Sequence, residues 1–122
     1  MPRVVHFEIS ADEPERALKF YKDVFGWESQ RWDGPMPYWF FNTGAPEQPG
    51  INGGMCKRSD DFVNCVNSID VESVDEYVAR IEEHGGAVVM PKTTLPKVGY
   101  LAYCKDTEGN FFGIMQADAA AQ

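Results

Sequence analysis

The sequence predicts an α+β fold made of two similar halves. A strand followed by a capped amphipathic helix occurs at Val4–Phe25 and again at Cys65–His84, and each helix is followed by glycine and new strands. The chain has 122 residues, of which 43% are hydrophobic, which is enough for a single core and leaves no room for a second domain. We therefore expect one domain over residues 1–118, built from pseudo-symmetric βαβββ modules at about 3–58 and 62–116.

The first strand has two chemically different faces. The odd-numbered positions of Val4–Ile9 are apolar, whereas the opposite face carries His6 and Glu8. We expect the apolar face to cover a helix. The polar face is then free to line a cavity.

Each predicted helix has a start signal and a stop signal. Asp12 lies three residues before Glu15, which predicts a capped start for a helix from about Glu13 to Phe25. Ser73 and Glu76 form a capping box ahead of the second helix. Glycine follows both helices and ends them.

The apolar alternation also predicts how the two modules align. Matching Ile9 with Val71 pairs the carboxylate of Glu8 with that of Asp70 on the polar face. The aligned pairs are Phe7 with Ile69, His6 with Ser68, Glu8 with Asp70 and Ile9 with Val71.

Six further strands are predicted, three after each helix. Gly44–Gly50 and Asp106–Asn110 have the glycine, proline and asparagine of turns, and Pro91–Lys97 is expected to be a loop bordering the pocket. Residues 119–122 are expected to be a disordered tail. The strands are expected at Trp27–Trp32, Tyr38–Asn42, Asn52–Lys57, Ala87–Met90, Gly99–Lys105 and Phe111–Gln116.

Charge and cysteine content restrict the partners and the compartment. The net charge of −8, with no basic stripe, disfavours nucleic acid and anionic membranes as partners. No apolar run reaches membrane-spanning length. The 3 cysteines lack CxxC spacing, which favours reduced thiols and a cytoplasmic location.

His6 and Glu8 are the candidate catalytic residues. Two-residue spacing on a strand places their Cα atoms about 6.5–7 Å apart on one face. Three interpretations remain open: a structural hydrogen-bonded pair, a pair for binding or proton transfer, and a displaced metal site completed by Asp70.

Aromatic residues are the candidate ligand wall. The run Tyr38–Phe41 places alternate rings on opposite faces of a strand, and parity alone does not decide which pair faces a ligand. Core or dimer packing is the alternative to a ligand-binding role. The candidate substrate-binding residues are Trp39, Tyr38, Met55, Tyr103, Phe111 and Met115.

Three stretches carry a family resemblance: His6–Ile9, the helix Pro14–Trp27 and the ending Asp106–Gly113. They look like the glyoxalase/bleomycin-resistance/dioxygenase superfamily, also called vicinal oxygen chelate. Gly53–Met55 and Gly85–Lys92 resemble a branch of it described as related to lactoylglutathione lyase. The resemblance covers nearly the whole chain.

The resemblance implies a curved sheet cup, frequent homodimerisation and, in the metalloenzymes, a divalent ion that chelates substrate oxygens. The ligands in those relatives are a His or Gln, a Glu, a His and a Glu on four strands. Here the last glutamate falls on Gly113, the fifth-strand histidine falls at or near Val66, and Asn52–Lys57 has no acid or histidine. His6 is left, two residues past the aligned position Val4. We therefore expect no cofactor, with a divalent metal as the alternative.

Three functions follow as hypotheses. The first is a metal-independent enzyme, acting on a small organic compound, that uses His6 and Glu8 for acid–base chemistry. The second is a non-catalytic binding or sequestration protein of the bleomycin-resistance type. The third is a metal-dependent lyase or dioxygenase, against which the missing ligands count. A homodimer is expected in each case.

Overall fold

The structure is a computed structural model that describes residues 1–59 and 65–122. Its described parts contain eight strands and two helices, so the predicted α+β class is confirmed. The elements are β1 (Val4–Ala11), α1 (Pro14–Phe25), β2 (Glu28–Arg31), β3 (Tyr38–Asn42), β4 (Gly53–Lys57), β5 (Cys65–Asp70), α2 (Val74–Glu83), β6 (Ala87–Leu95), β7 (Gly99–Lys105) and β8 (Phe111–Ala117).

The chain divides into two compact units. The N-terminal unit is His6–Val66, and the C-terminal unit combines Met1–Val5 with Asn67–Gln122. The first five residues therefore group with the second half of the sequence, where the backbone N–H of Asp70 donates to the carbonyl of Arg3 over 2.9 Å. Each unit has the predicted order of strand, helix and three strands.

In the N-terminal unit the strand order is β2-β3-β4-β1, with β1 parallel to β4 and the other pairs antiparallel. The parallel pair follows from the crossover through α1, which must carry the chain back to the starting end. The core between α1 and the sheet centres on Ala11, Phe41 and Met55, which are 7%, 2% and 0% exposed.

The C-terminal unit repeats this arrangement. Its strand order is β5-β8-β7-β6, with β5 parallel to β8. The core under α2 consists of Val71, Val74, Ala102 and Ile114, packed against half-buried side chains of the helix and strands. The two units therefore share one plan of pairing.

The two helix starts differ from each other. Ser73 caps α2 as predicted, because its Oγ accepts the backbone N–H of Glu76 over 3.1 Å. The predicted cap at Asp12 is wrong: α1 begins after Glu13 without a side-chain cap. The Asp12 carboxylate instead accepts Nη1 of Arg58 over 2.9 Å, and a charge-assisted bond of that kind outcompetes a neutral backbone donor.

The predicted alignment of the two modules is wrong by two residues. Glu8 lies opposite Gly54 and Ser68 lies opposite Gly113, so Glu8 corresponds to Ser68 and not to Asp70. The apolar alternation cannot distinguish the two alignments, because shifting one strand by two residues leaves every side chain on the same face of the sheet. The corresponding pairs are His6 with Val66, Glu8 with Ser68, Ile9 with Ile69, Ser10 with Asp70 and Ala11 with Val71.

The C-terminal unit is more ordered than expected at two places. β6 extends to Leu95, so most of the predicted loop Pro91–Lys97 is strand. The predicted disordered tail is wrong for Ala121, which is 2% exposed. Its carbonyl accepts the backbone N–H of Lys97 over 2.9 Å, and this bond ties the tail down. Neither helix in the described part of the chain has the length and apolar character needed to cross a bilayer.

Candidate functional site

The candidate site lies on the sheet face of the N-terminal unit that points away from α1, which we call the distal face. His6, Glu8 and Ser10 alternate along β1 toward this face, because the residues between them pack against α1. The pairing registers add Gly54 from β4 and Tyr38 from β3 to the same face. His6 and Glu8 of β1 thus share a face with Tyr38 of β3, although the two strands are far apart in sequence.

His6, Tyr38 and Glu8 form one hydrogen-bonded group, which we call the distal cluster. Nε2 of His6 lies 2.6 Å from the hydroxyl oxygen of Tyr38. The carboxylate of Glu8 acts on the same hydroxyl through its charge and a hydrogen bond. Glu8 is only 8% exposed, and His6 and Tyr38 are half-buried. A buried carboxylate held by such partners is a reason to consider proton transfer here.

Gly54 makes the distal cluster possible. β4 separates β3 from β1, so the ring of Tyr38 has to cross β4 to reach His6. A Cβ at Gly54 would stand 2.0 Å from the Tyr38 hydroxyl oxygen and 2.3 Å from Cζ. Any other residue at this position would therefore displace the ring. This role was not predicted from the sequence, although a glycine inside a strand is a signal of close approach.

Burial and the Glu8 charge set the protonation states at the site. Burial lowers the pKa of His6 below its ordinary value of 6.5. Burial, followed by the Glu8 charge, raises the pKa of Tyr38 well above its ordinary value. The same two causes raise the pKa of the Cys56 thiol to about 11. At neutral pH the imidazole and phenol are therefore uncharged, and Cys56 is a poor nucleophile.

Aromatic rings border the cluster. Tyr38 makes edge contacts with Trp32 and Phe40, at centroid distances of 6.3 Å and 5.2 Å. Phe40 is 43% exposed, so it offers apolar surface beside the polar groups. Trp32 was not among the predicted site residues, because it lies just beyond β2 and its contact depends on the turn that leads to β3.

Two predicted ligand-wall residues lie elsewhere. Met55 is 0% exposed in the core under α1, so its predicted contact with a ligand is wrong for this structure. Trp39 lies opposite Met55 and shares its face, which excludes it from the distal face. Its ring instead packs under the guanidinium of Arg31 at 4.9 Å. Of the aromatic run, Tyr38 and Phe40 are the pair on the distal face.

The other three predicted wall residues belong to the C-terminal unit. Tyr103 is 6% exposed and lies opposite Gly113, while Phe111 is 37% exposed beneath Nζ of Lys105. Met115 is half-buried. All three alternate with residues of the α2 core and so lie on the sheet face away from α2.

The donor set does not fit a divalent ion. Within residues 1–59 and 65–122, no group of three or more His, Cys, Asp or Glu side chains is placed to hold a metal. The alternative of His6, Glu8 and Asp70 rested on Asp70 corresponding to Glu8, whereas Asp70 corresponds to Ser10. Within the N-terminal unit, Gly54 stands where a side-chain donor would be needed beside Glu8.

Three clefts on the described surface lie away from His6, Glu8 and Tyr38. One of about 220 Å³ lies in the β3–β4 connection, and one of about 410 Å³ lies beside Met1 and Tyr77. The largest, about 530 Å³, lies between the end of β1 and α1. The case for a functional site at the distal cluster therefore rests on its side-chain chemistry and not on the size of a cleft.

Comparison with known proteins places the sequence among glyoxalase-like chains. Residues 3–44 match the family model described as "Bleomycin resistance protein-like N-terminal". A Didymella fabae protein named "Glyoxylase-like domain-containing protein" is 30% identical over 112 residues, covering 88% of both chains. The Mycobacterium tuberculosis protein named "Putative glyoxylase CFP32" is 27% identical over 123 residues, covering 91% of this chain. The chain spans only 44% of the length of that relative.

Solved structures share the fold at low identity. A hypothetical protein from Bacillus halodurans superimposes with a TM-score of 0.73 at 14% identity, covering 99% of this chain and 98% of that one. A methylmalonyl-CoA epimerase in complex with methylmalonyl-CoA gives 0.74 at 12% identity, covering 100% and 99%. The Streptomyces coelicolor epimerase in complex with 2-nitronate-propionyl-CoA gives 0.73 at 12%, covering 98% and 97%.

Proposed function

We propose that this chain, which belongs to the glyoxalase/bleomycin-resistance/dioxygenase superfamily, binds a small organic molecule and acts on it by acid–base chemistry without a metal ion. The observation that carries the proposal is the distal cluster, in which Nε2 of His6 lies 2.6 Å from the Tyr38 hydroxyl beside the buried Glu8 carboxylate. His6 and Glu8 are its catalytic residues.

The protonation states support proton abstraction by His6. A general base has to be unprotonated at the working pH, and burial lowers the pKa of His6 from 6.5. A carboxylate near the imidazole stabilises the imidazolium that forms when the proton is taken up. The substrate class that suits such a base is a small compound with an acidic proton, such as one next to a carbonyl group or on a hydroxyl.

The neighbourhood of the cluster supports small-molecule binding. Small-molecule sites combine apolar and aromatic walls with a few polar groups, and Phe40 and Trp32 provide aromatic surface near the Tyr38 ring. The epimerases with the same fold were solved with acyl-CoA ligands, which shows that this fold can hold a small organic ligand. Net charge of −8 argues against polyanionic partners.

The donor chemistry supports metal independence. The distal cluster offers one imidazole and one carboxylate, and the described residues place no third His, Cys, Asp or Glu side chain with them. Proteins normally hold zinc with at least three side chains. We therefore derive no step through a metal ion. Protein purified without chelator or affinity-tag metal should lack stoichiometric Ni, Zn, Fe or Mn, and one ion per chain would contradict this part of the proposal.

The second candidate function is sequestration of a drug-like molecule without turnover. The observation that favours it is the match of residues 3–44 to the bleomycin-resistance-like model. In that case His6 and Glu8 would contribute polarity to a binding surface and would not transfer protons.

A homodimer is part of the proposal. α1 exposes large apolar side chains, and Phe20, Val24 and Phe25 are 55%, 56% and 60% exposed. Exposed apolar surface of this kind is commonly covered by a partner. Sedimentation at micromolar concentration should give twice the chain mass of 13.7 kDa, and a monomer would contradict the dimer.

A panel of small carbonyl, hydroxyl and aromatic compounds separates the two functions. Binding is detected by ligand-observed NMR, and turnover of each bound compound is then followed by mass spectrometry. His6→Ala should lower turnover by about 10²–10⁴-fold while weakening binding by less than about tenfold. His84→Gln is the matched control, since His84 lies at the end of α2. Equal loss of binding and turnover, or unchanged turnover, would favour sequestration.

A further inference from the structure

We infer that the compound bound at the distal cluster carries a planar aromatic or conjugated group, and that Trp32 is the specificity-determining residue on which this group stacks. The placement of the indole is argued from the N-terminal unit alone. That the stacked compound is also the reacting one rests on the function proposed above.

Trp32 extends a row of rings on the distal face. In the pairing of β2 with β3, Arg31 lies opposite Trp39. Trp32 is the next residue and lies opposite Tyr38, because its backbone N–H donates to the Tyr38 carbonyl over 2.8 Å. The ring centroid of Tyr38 lies 6.4 Å from that of His6 and 6.3 Å from that of Trp32. The imidazole, the phenol and the indole therefore follow one another across the face, with the phenol in the middle.

The indole of Trp32 is held in place from one side. A Cβ at Gly34 would overlap Cε2, Cζ2 and Cη2 of the ring, so the Gly34 backbone lies directly against one face of the indole. The contact with Tyr38 is edge-on, because the two ring planes meet at 84°. A perpendicular ring covers only part of an indole face, and Trp32 is only half-buried. The face turned away from Gly34 is therefore the one that a ligand can reach.

The C-terminal unit shows that the strand plan does not require these rings. Tyr38 corresponds to Leu101, because each lies opposite the residue two past the glycine of the neighbouring strand. Leu101 in turn lies opposite Thr93 of β6, where the N-terminal unit has Trp32. A phenol and an indole thus stand where the other unit has an aliphatic side chain and a threonine. This difference supports a role for the two rings beyond the fold.

A surface of this kind distinguishes flat groups from puckered ones. Aromatic rings that meet in an offset or edge-on arrangement gain about three- to tenfold in affinity beyond what burial alone provides. A puckered ring of the same size cannot stack in this way. Phe40, which is 43% exposed and contacts Tyr38, adds a second aromatic surface beside the same phenol. A compound with its carbonyl or hydroxyl group at His6 can therefore rest a flat group on Trp32, with Tyr38 between the two.

Two ketones that differ only in ring planarity test the inference: benzylacetone, and the ketone in which cyclohexyl replaces its phenyl ring. Both have acidic protons next to the carbonyl group, and the cyclohexyl compound is the more hydrophobic, so burial alone favours it. The wild-type protein should nevertheless bind benzylacetone about three- to tenfold more tightly, measured by ligand-observed NMR titration. Trp32→Leu should remove this preference. Trp32→Phe, which keeps a planar ring, should retain part of it.

Trp39→Leu is the matched control. Trp39 lies on the other face of β3 with its ring under Arg31, so this variant should keep the preference. Gly34→Ala keeps the indole but displaces it, so it should lose the preference as Trp32→Leu does. Nuclear Overhauser contacts between the phenyl protons of benzylacetone and the indole of Trp32 should locate the ligand in the wild type without any substitution.

Three results would overturn the inference: binding of neither ketone, equal affinity of the wild type for both, or a preference that survives Trp32→Leu. None of these results measures proton transfer, so the roles of His6 and Glu8 are still decided by turnover in His6→Ala. A phenyl preference that depends on Trp32, without turnover of either ketone, would uphold the stacking site and favour sequestration over catalysis.

Discussion

The two units place different side chains on one plan of strand pairing. In the N-terminal unit, Glu8 lies opposite Gly54 and reaches the Tyr38 hydroxyl. In the C-terminal unit, Ser68 lies opposite Gly113. Ser68 is 1% exposed, so a small neutral side chain fills the buried position that a carboxylate fills in the other unit.

This difference separates the side chains that both units need for their cores from those that only the proposed acid–base chemistry would use. The helix-facing positions are apolar in both units, with Met55 in one and Ile114 in the other at 0% and 2% exposure. The positions of His6 and Glu8 are ionisable in one unit only. Burying a carboxylate costs free energy, so its presence in one copy only supports the acid–base role proposed for Glu8.

The comparison first predicts equal cores. Met55→Ala and Ile114→Ala should each lower the free energy of unfolding by about 2–5 kcal/mol, because each leaves a cavity in a fully buried site. Chemical denaturation measures both. Val4→Ala is the control at a surface position that is 42% exposed. A large cost in one unit and almost none in the other would break the equivalence of the cores.

The glycines should differ in the free energy of unfolding that alanine costs. Gly54→Ala should cost about 1–3 kcal/mol, because the displaced Tyr38 hydroxyl no longer bonds to His6. Gly113→Ala should cost less, because the atom nearest to the added Cβ is Ser68 Oγ at 2.9 Å, whereas a Cβ at Gly54 would overlap the Tyr38 ring and hydroxyl. Equal costs would show that the close crossing of Tyr38 carries no special stability.

The helix starts should differ by a smaller amount. Ser73→Ala removes a side-chain cap from α2 and should lower the free energy of unfolding by about 1 kcal/mol. Asp12→Ala removes an exposed ion pair with Arg58 and should cost roughly 0–1 kcal/mol. If Asp12→Ala proved the more damaging of the two in thermal unfolding, Asp12 would have a capping role after all.

The smallest expected difference is in pH dependence. Well above pH 6.5, His6 is neutral in both the folded and the unfolded chain. Below pH 6.5, His6 of the unfolded chain becomes protonated while His6 of the folded chain stays neutral, because burial lowers its pKa in the folded state. Stability should therefore fall as the pH drops from 6.5 toward the folded value. His6→Gln should reduce this fall, measured by urea denaturation at several pH values, and His84→Gln should keep it. An unchanged pH profile in His6→Gln would contradict the buried state of His6.

Most of the fold could be predicted because local patterns determine it. Capping, glycine stops and apolar alternation identified both helices and most strands, including Tyr38–Asn42 and Gly99–Lys105 at their observed bounds. The alignment of the modules failed, because Ala11 was not recognised as the end of β1. It is 7% exposed and corresponds to Val71, but a small residue gives a weak apolar signal.

The site could be predicted only in part. The shared face of His6 and Glu8 follows from two-residue spacing, whereas the bond to Tyr38 depends on a ring that crosses a third strand. That crossing needs the order β3-β4-β1, which no local pattern shows, and a missing side chain at Gly54, whose meaning depends on that order. Trp39 and Met55 were predicted to face a ligand because the sequence did not show which face of β3 and β4 packs against α1.

The grouping of Met1–Val5 with Asn67–Gln122 has a consequence for synthesis on the ribosome. All of His6–Val66 is translated, and leaves the ribosome, before the partner of Arg3, since that partner is Asp70. Met1–Val5 therefore cannot join its own unit while the strands of His6–Val66 are pairing. Nascent chains arrested at the length that brings Val66 but not Asp70 out of the ribosomal exit tunnel should already protect His6–Val66 from protease, while Met1–Val5 is still cleaved.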